Sequence, residues 1–324
     1  TAANNTAVGY NSLNLNTTGT RNVAVGVNSL DANTVGEKNV AIGMDALGTN
    51  IDGSRSVAVG DSALATQEPA SAVDMYNTAV GHAAGTAVTT GVQNTLIGGL
   101  AGDALTTSNN SVAVGYNALG TNTVSAGNVA VGKDALATFN VGSGSGYNTA
   151  VGTAAGTAVT TASYNTFVGG LCGDATDDGA ANVAVGYGAL SANCGDDNSA
   201  LGAYALSVCT GTKNTAVGQT AGFAVTSGGN NLLLGADAGR TGSPGGNVTT
   251  NSNEIVLGDD NITEAHVQVD WTIASDERDK TDFTALDLGL DFVKALAPVT
   301  YKWDKRAKYG DKTADDYDLN DQTP

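Results

Sequence analysis

One pattern of apolar and polar positions recurs along most of the chain. An Asn is followed by Thr or Val, then Ala, then Val or Ile, then Gly, as in Asn5-Thr6-Ala7-Val8-Gly9 and Asn39-Val40-Ala41-Ile42-Gly43. The anchor glycines are Gly9, Gly26, Gly43, Gly60, Gly81, Gly98, Gly115, Gly132, Gly152, Gly169, Gly186, Gly202, Gly218, Gly235 and Gly258. Their spacing is mostly 17, with steps of 21 before Gly81, 20 before Gly152, 16 before Gly202 and Gly218, and 23 before Gly258. The longer steps carry polar or Gly-rich insertions at 66–76 and 140–147, which read as loops on one edge. Self-similarity at a fixed short period is the mark of a solenoid, in which one unit cannot bury its own face and stacking makes the core.

Each repeat position has an expected task. The Val or Ile before the Gly reads as a buried strand position, with the residue two earlier on the same face by the period of two. The Gly permits a turn or a close backbone approach. The small residue three after it (Ser12, Ser29, Ala46, Ala63, Cys172) packs where coils crowd. The Asn four before the Gly forms a stacked ladder or closes a turn. The residue just after the Gly varies freely (Tyr10, Val27, Met44, Asp61, His82, Lys133), which marks it as solvent-facing. Four after the Gly, Leu13, Leu30, Leu47 and Leu64 give way to Gly85 and Gly102, then Leu119 and Leu136, Gly156 and Gly173, Leu190 and Leu206, Gly222 and Gly239. The spacing alone supplies no reason for this blockwise alternation beyond a change in coil width. Two short strands per unit are expected. About 15 coils rising ~4.8 Å each give a rod on the order of 70 Å long. Gly- and Asn-rich units with β-branched runs argue against an α-solenoid. The expected fold class is therefore all-β, a parallel β-roll or β-solenoid, followed by a small α+β segment.

Composition supports a thin core. Of 324 residues, 44 are Gly and only 5% are aromatic, so small side chains must fill the interior. The net charge of −18 argues against nucleic acid as a partner. No run of about 18 apolar residues exists, so no membrane insertion is expected. Cys172, Cys194 and Cys209 are odd in number and give no disulfide framework.

The Asn-x-Ala-Val/Ile-Gly cores, with a small residue three later, resemble the head repeats of YadA-like trimeric adhesins over Asn5 to about Gly258. That resemblance implies left-handed parallel β-rolls and association of two further identical chains into a homotrimer. A thin Ala/Val core that needs additional burial is consistent with it.

The C-terminal part is a different object. Eight of the 14 Lys and Arg residues and both Trp residues (Trp271, Trp303) lie beyond residue 270. The organisation read from the sequence is a repeat shaft or head at 1–250, a β-rich connector at 251–274, and a separate module at 275–324. Leu286, Leu290, Val293 and Ala297 fall at helical spacing before Pro298. The motifs Ser275-Asp276-x-Arg278-x-Lys280, Leu288-Gly289-Leu290-Asp291-Phe292 and Pro298-Val299-Thr300-Tyr301-Lys302-Trp303 look like the start of the intramolecular chaperone of endosialidase-type phage tailspikes and tail fibres. The stretch to Pro324 corresponds to about the first half of such a module. The resemblance implies chaperoned trimer assembly followed by self-cleavage between Ala274 and Ser275, with Ser275 as nucleophile and Lys280 as its base. It also implies a place in the virion tail, with other tail proteins and a host cell-surface receptor (a glycan or an outer-membrane component) as partners.

Other candidates are weaker. The pairs Asp177-Asp178, Asp196-Asp197 and Asp259-Asp260 lack any Ca²⁺-loop spacing and read as solvated turns. His82 and His266 lie far apart, so neither zinc nor any other metal or cofactor is expected. Tyr10, Tyr116 and Tyr187 share the exposed position after the anchor Gly and are candidate binding residues. The leading function is a homotrimeric phage fibre or tailspike whose one reaction is its own cleavage. A bacterial trimeric autotransporter adhesin is the alternative. A glycan-degrading spike is a third, although the repeat fixes no carboxylate position for such chemistry.

Overall fold

A computed structural model describes residues 2–268. They form a parallel β-solenoid with one three-residue strand per coil: β1 Thr6–Val8, β2 Val23–Val25, β3 Val40–Ile42, β4 Val57–Val59, β5 Thr78–Val80, β6 Thr95–Ile97, β7 Val112–Val114 and β8 Val129–Val131. The series continues with β9 Thr149–Val151, β10 Thr166–Val168, β11 Val183–Val185, β12 Ser199–Leu201, β13 Thr215–Val217, β14 Leu232–Leu234 and β15 Ile255–Leu257. All fifteen lie in one sheet in sequence order, each parallel to the next. No helix occurs among the described residues. The first compact unit of the chain runs Thr1–Ala265.

The register is that of the repeat: Ala24 pairs with Ala41, and Ala41 with Ala58. The second strand expected in each coil is absent. Its place is taken by consecutive turns with left-handed residues, such as Asp45 (φ 54°) and Leu47 (φ 51°). These turns still bond coil to coil, Leu47 N donating to Ala63 O at 3.1 Å and Leu64 N to Ala84 O at 3.0 Å. Two positive-φ residues in five cannot hold an extended strand, yet the ladder of backbone bonds survives because every coil turns identically.

The strand faces are the reverse of the expectation. The central Ala points inward and is fully buried (Ala24, Ala41, Ala58, Ala113), whereas Ile42 is 40% exposed and Val80 37%. The period of two places Thr or Val and the Val before the Gly on one face, as expected, but that face is outward. The coil is too narrow to hold two β-branched chains. It holds Ala from the strand, the small residue three after the Gly (Ala46, Ala63, Ala84) and a Leu four after it (Leu30, Leu47, Leu64), all fully buried.

The anchor Gly does both of its proposed jobs. Gly43 has φ +137°, and a Cβ there would stand 2.3 Å from Gly60 O. The Asn row forms the ladder. Asn39 N donates to Asn22 Oδ1 at 2.9 Å, and its Nδ2 donates to Gly53 O at 2.8 Å. Ser56 N then donates to Asn39 Oδ1 at 2.9 Å. An amide is suited to this buried site because it supplies a donor and an acceptor at once.

The Leu/Gly alternation is a volume exchange. In β6, β10 and β14 the inward residue is Leu96, Phe167 or Leu233 instead of Ala, and each is fully buried. A Cβ at Gly156 would lie 2.9 Å from Phe167 Cδ2, and one at Gly173 2.6 Å from Phe167 Cε1. Gly222 and Gly239 meet Leu233 in the same way, at 2.9 and 2.5 Å. One large strand residue thus replaces two Leu side chains, in its own coil and the one before, which is why the glycines come in pairs.

Candidate functional site

Ser275, Lys280 and Ala274, the residues of the expected cleavage, lie outside the described residues, as does the segment 275–324. Among the described residues the candidates are distributed over the surface of the rod.

Tyr10, Tyr116 and Tyr187 are 72%, 53% and 50% exposed, as their variable repeat position implies. The structure does not bring them together, since they belong to the first, seventh and eleventh coils. Tyr187 meets Tyr204 edge-on, with centroids 5.4 Å apart. Gly99 and Gly170 sit under Tyr116 and Tyr187, where an added Cβ would come within 3.7 and 3.6 Å of the rings. Both glycines hold the variable position after an anchor Gly and belong to the repeat.

The three cysteines are free and buried. Cys172 replaces the Ser seen in earlier coils and donates to Ala184 O at 3.1 Å, as Ser29 Oγ does to Ala41 O at 2.9 Å. Burial pushes the Cys172 thiol up to about 12 and Cys209 to about 11, so both stay protonated and inert as nucleophiles.

The acidic pairs serve turns. Ala180 N donates to Asp196 Oδ1 at 2.8 Å, Thr160 Oγ1 donates to Asp177 Oδ1, and Asn261 N donates to Asp259 Oδ1 at 3.0 Å. No group of three or more His, Cys, Asp or Glu side chains suited to a metal ion exists among the described residues. His82 Nδ1 lies 3.2 Å from Asp61 Oδ2, one coil away at the same exposed position. Among the described residues no helix is long and apolar enough to cross a membrane.

One constellation escaped the sequence reading. The insertion after Thr66 rejoins the solenoid through a parallel bridge between Ser54 and Asp74, and the insertion after Asn140 rejoins through Ala126 and Ser145. Both do so at the same edge, as expected. At the first, Arg55 Nε lies 2.8 Å from Asp74 Oδ2. Tyr76 Oη donates to the same oxygen at 3.2 Å, and the Arg55 guanidinium lies 5.7 Å from the Tyr76 ring centroid. The bond to Asp74 raises the Arg55 pKa further above its ordinary value. The available signal was the clustering of cations at one repeat position: Arg21, Lys38 and Arg55 each precede the ladder residue in successive coils.

Comparison with known proteins gives one match. Residues 275–318 match the family described as chaperone of endosialidase. That interval begins at Ser275 and contains Lys280. In these comparisons no curated protein and no solved structure matches the chain. Residues 2–268 form a parallel β-solenoid, and the chain continues into a segment that matches the family described as chaperone of endosialidase.

Proposed function

We propose that this chain is the rod of a phage tail fibre or tailspike, a homotrimer that contacts a host surface and is matured by C-terminal self-cleavage. The observation that carries this reading is the chaperone match at 275–318, C-terminal to a solenoid whose last strand among the described residues is Ile255–Leu257. The trimer is supported by the outward face of the sheet. Rows of β-branched and aliphatic side chains run along it, with Val8 58%, Ile97 39%, Leu201 50% and Val217 39% exposed. An apolar stripe of that continuity marks an interaction surface. Two further copies of the same rod, with the same row spacing, are the occupants it suits.

The proposed cleavage needs only groups of this chain and water. Lys280 takes the Ser275 hydroxyl proton, which requires burial or neighbouring charge to lower its pKa. Ser275 Oγ attacks the Ala274 carbonyl, and the acyl group moves from nitrogen to oxygen as the Ser275 amine leaves with the proton that Lys280 returns to it. Water hydrolyses the ester, leaving Ala274 as a carboxylate and restoring the Ser275 hydroxyl. A site formed only between assembled chains would couple the cut to correct assembly.

Intact and native mass of the full-length gene product, beside Ser275→Ala, test this. The expected result is a wild-type trimer ending at Ala274 and an uncleaved variant trimer. An uncleaved wild-type trimer would remove the self-cleavage and leave the fibre. A monomer would remove the architecture on which the reading rests.

A further inference from the structure

Fifteen residues, one per coil from Asn4 to Asn253, precede the ladder Asn or its Ser or Glu substitute, and all have φ between +49° and +73°. Left-handed backbone is less favourable for a bulky L-residue than for Gly or Asn. Yet this row holds Arg21, Lys38, Arg55 and Lys213, four of the six Lys and Arg residues before residue 275. It also holds Tyr76, Tyr147 and Tyr164, which are 50%, 58% and 64% exposed. These side chains bury little and the turn does not require them. A surface row that repeatedly carries cations and phenols is a candidate for contact with a partner.

The row is most developed where the first insertion rejoins the coil. There Ala72, Val73 and Asp74 stand beside Glu37, Lys38, Asp52, Ser54 and Arg55 around an open groove of about 580 Å³. That volume is within the range of about 300–1,000 Å³ usual for ligand sites. The Asp74 carboxylate holds both Arg55 and Tyr76, and Lys38 Nζ lies 3.7 Å from Glu37 Oε2. Side chains fixed by one another in this way lose little further freedom when a ligand arrives.

The charge balance selects the ligand. Three carboxylates (Glu37, Asp52, Asp74) face two cations (Lys38, Arg55). An anionic ligand meets the carboxylates and a cationic one meets the Arg and Lys, so neither gains from its net charge. A neutral ligand dense in hydroxyls pairs with both kinds of group, through charge-assisted hydrogen bonds. Val35 and Val73, 38% and 42% exposed, offer apolar surface for C–H faces in the same groove. Successive coils repeat every ~4.8 Å along the row, so an extended polymer of rings can be met at each rung.

We propose that this groove binds an uncharged glycan strand, through Lys38, Asp52, Arg55 and Asp74, with Tyr76 holding Arg55 and Asp74 in position from beside it. The proposal rests on the host-surface reading and names the class of receptor for it.

The test uses the full-length protein on an immobilised panel of neutral hexose and N-acetylhexosamine oligosaccharides, beside uronic-acid and sulfated oligosaccharides. The expected result is binding to at least one neutral oligosaccharide, changed less than threefold between 50 and 500 mM NaCl. Arg55→Ala with Tyr76→Ala should weaken it at least tenfold, as should Asp52→Asn alone, while Lys213→Ala on the same row leaves it unchanged. Binding confined to the charged oligosaccharides, binding indifferent to the groove variants, or no binding to any neutral oligosaccharide at millimolar concentration would each overturn the groove proposal. Binding of the same preparations to host cells separates the two readings. Cell binding that survives the groove variants leaves the host-surface role standing and sinks this site. Loss of all cell binding in the wild type sinks the host-surface role itself.

Discussion

Leu96 occupies the space that a side chain on Gly85 would need: a Cβ built on Gly85 would stand 2.5 Å from Leu96 Cδ1. Gly102, in the coil of Leu96 itself, is 2.8 Å from the other methyl by the same measure. Leu96→Ala should therefore open a cavity spanning two coils and cost about 2–5 kcal/mol. Refilling it from the other side, with Gly85→Leu and Gly102→Leu in the Leu96→Ala background, should recover part of that loss, since Leu105 Cδ1, 2.7 Å from a Cβ on Gly102, must also give way. The backbone permits it, since Gly85 and Gly102 have φ +59° and +55° and the equivalent Leu64 has +49°. Gly85→Leu alone should destabilise by overpacking, about 1–3 kcal/mol. Denaturant unfolding of the single and triple variants measures the exchange, and additive losses would contradict it.

The anchor glycines should tolerate no side chain. Gly43→Ala brings a Cβ to 2.3 Å from Gly60 O at a backbone angle of φ +137°. That oxygen belongs to backbone and cannot swing aside. A loss of about 1–3 kcal/mol or more is expected, with faster local hydrogen exchange in both coils. An unchanged melting temperature would show that the coils can separate at this edge at no cost.

Asn39→Ala should leave the Ser56 amide without a partner in a fully buried site, while the Gly53 carbonyl keeps one donor, Asn50 Nδ2 at 2.9 Å. The orphaned amide costs about 1–3 kcal/mol. The Ser56 amide is the specific reporter. Its exchange with solvent should accelerate more than that of amides three coils away, and uniform acceleration would mean that the ladder carries no local strength.

Stability should rise on mild acidification. Burial raises the carboxyl pKa of Asp31, Asp103 and Asp174 above the ordinary 3.8, and that of Glu68 above 4.5. A raised carboxyl pKa means that the folded state binds protons more readily than the unfolded chain. Stability therefore increases as pH falls through the folded values and levels off below the ordinary ones. Asp134 and Asp237 act oppositely. The hydrogen bond from Lys133 to Asp134 and that from Thr220 to Asp237 lower their pKa values, so their contribution is lost as pH drops below 3.8. A maximum near pH ~4 is expected in thermal unfolding. Asp103→Asn should raise the melting temperature at pH 7 and flatten the acid rise. A variant less stable at pH 7 would contradict the sign.

Much of the rod was legible in the chain itself because a solenoid repeats its constraints. The free variation after the anchor Gly identified Tyr10, Tyr116 and Tyr187 as exposed, and the invariant small residue three later identified Ala46 and Cys172 as buried. The chaperone-like motifs beginning at Ser275 were legible for another reason, as a run of specific residues that the family match also covers.

What the sequence by itself determined was the period, the coil count, the parallel stacking and the special backbone of the anchor glycines, since each is a property of one repeat compared with the next. Only the tertiary structure decided which strand face is interior. Alternation puts Val23 and Val25 together and Ala24 opposite, but it has no sign. The sign comes from the width of the closed coil, which admits Ala24 beside Leu30 and excludes the valines. The paired glycines were likewise visible but unexplained, because the side chains that crowd them reach from strand and turn across two coils, as Leu96 does to Gly85 and Gly102 beside Leu105. The groove at Arg55, Asp74 and Tyr76 exists because the insertion returns to the edge it left, a closure that the order of residues along the chain does not contain.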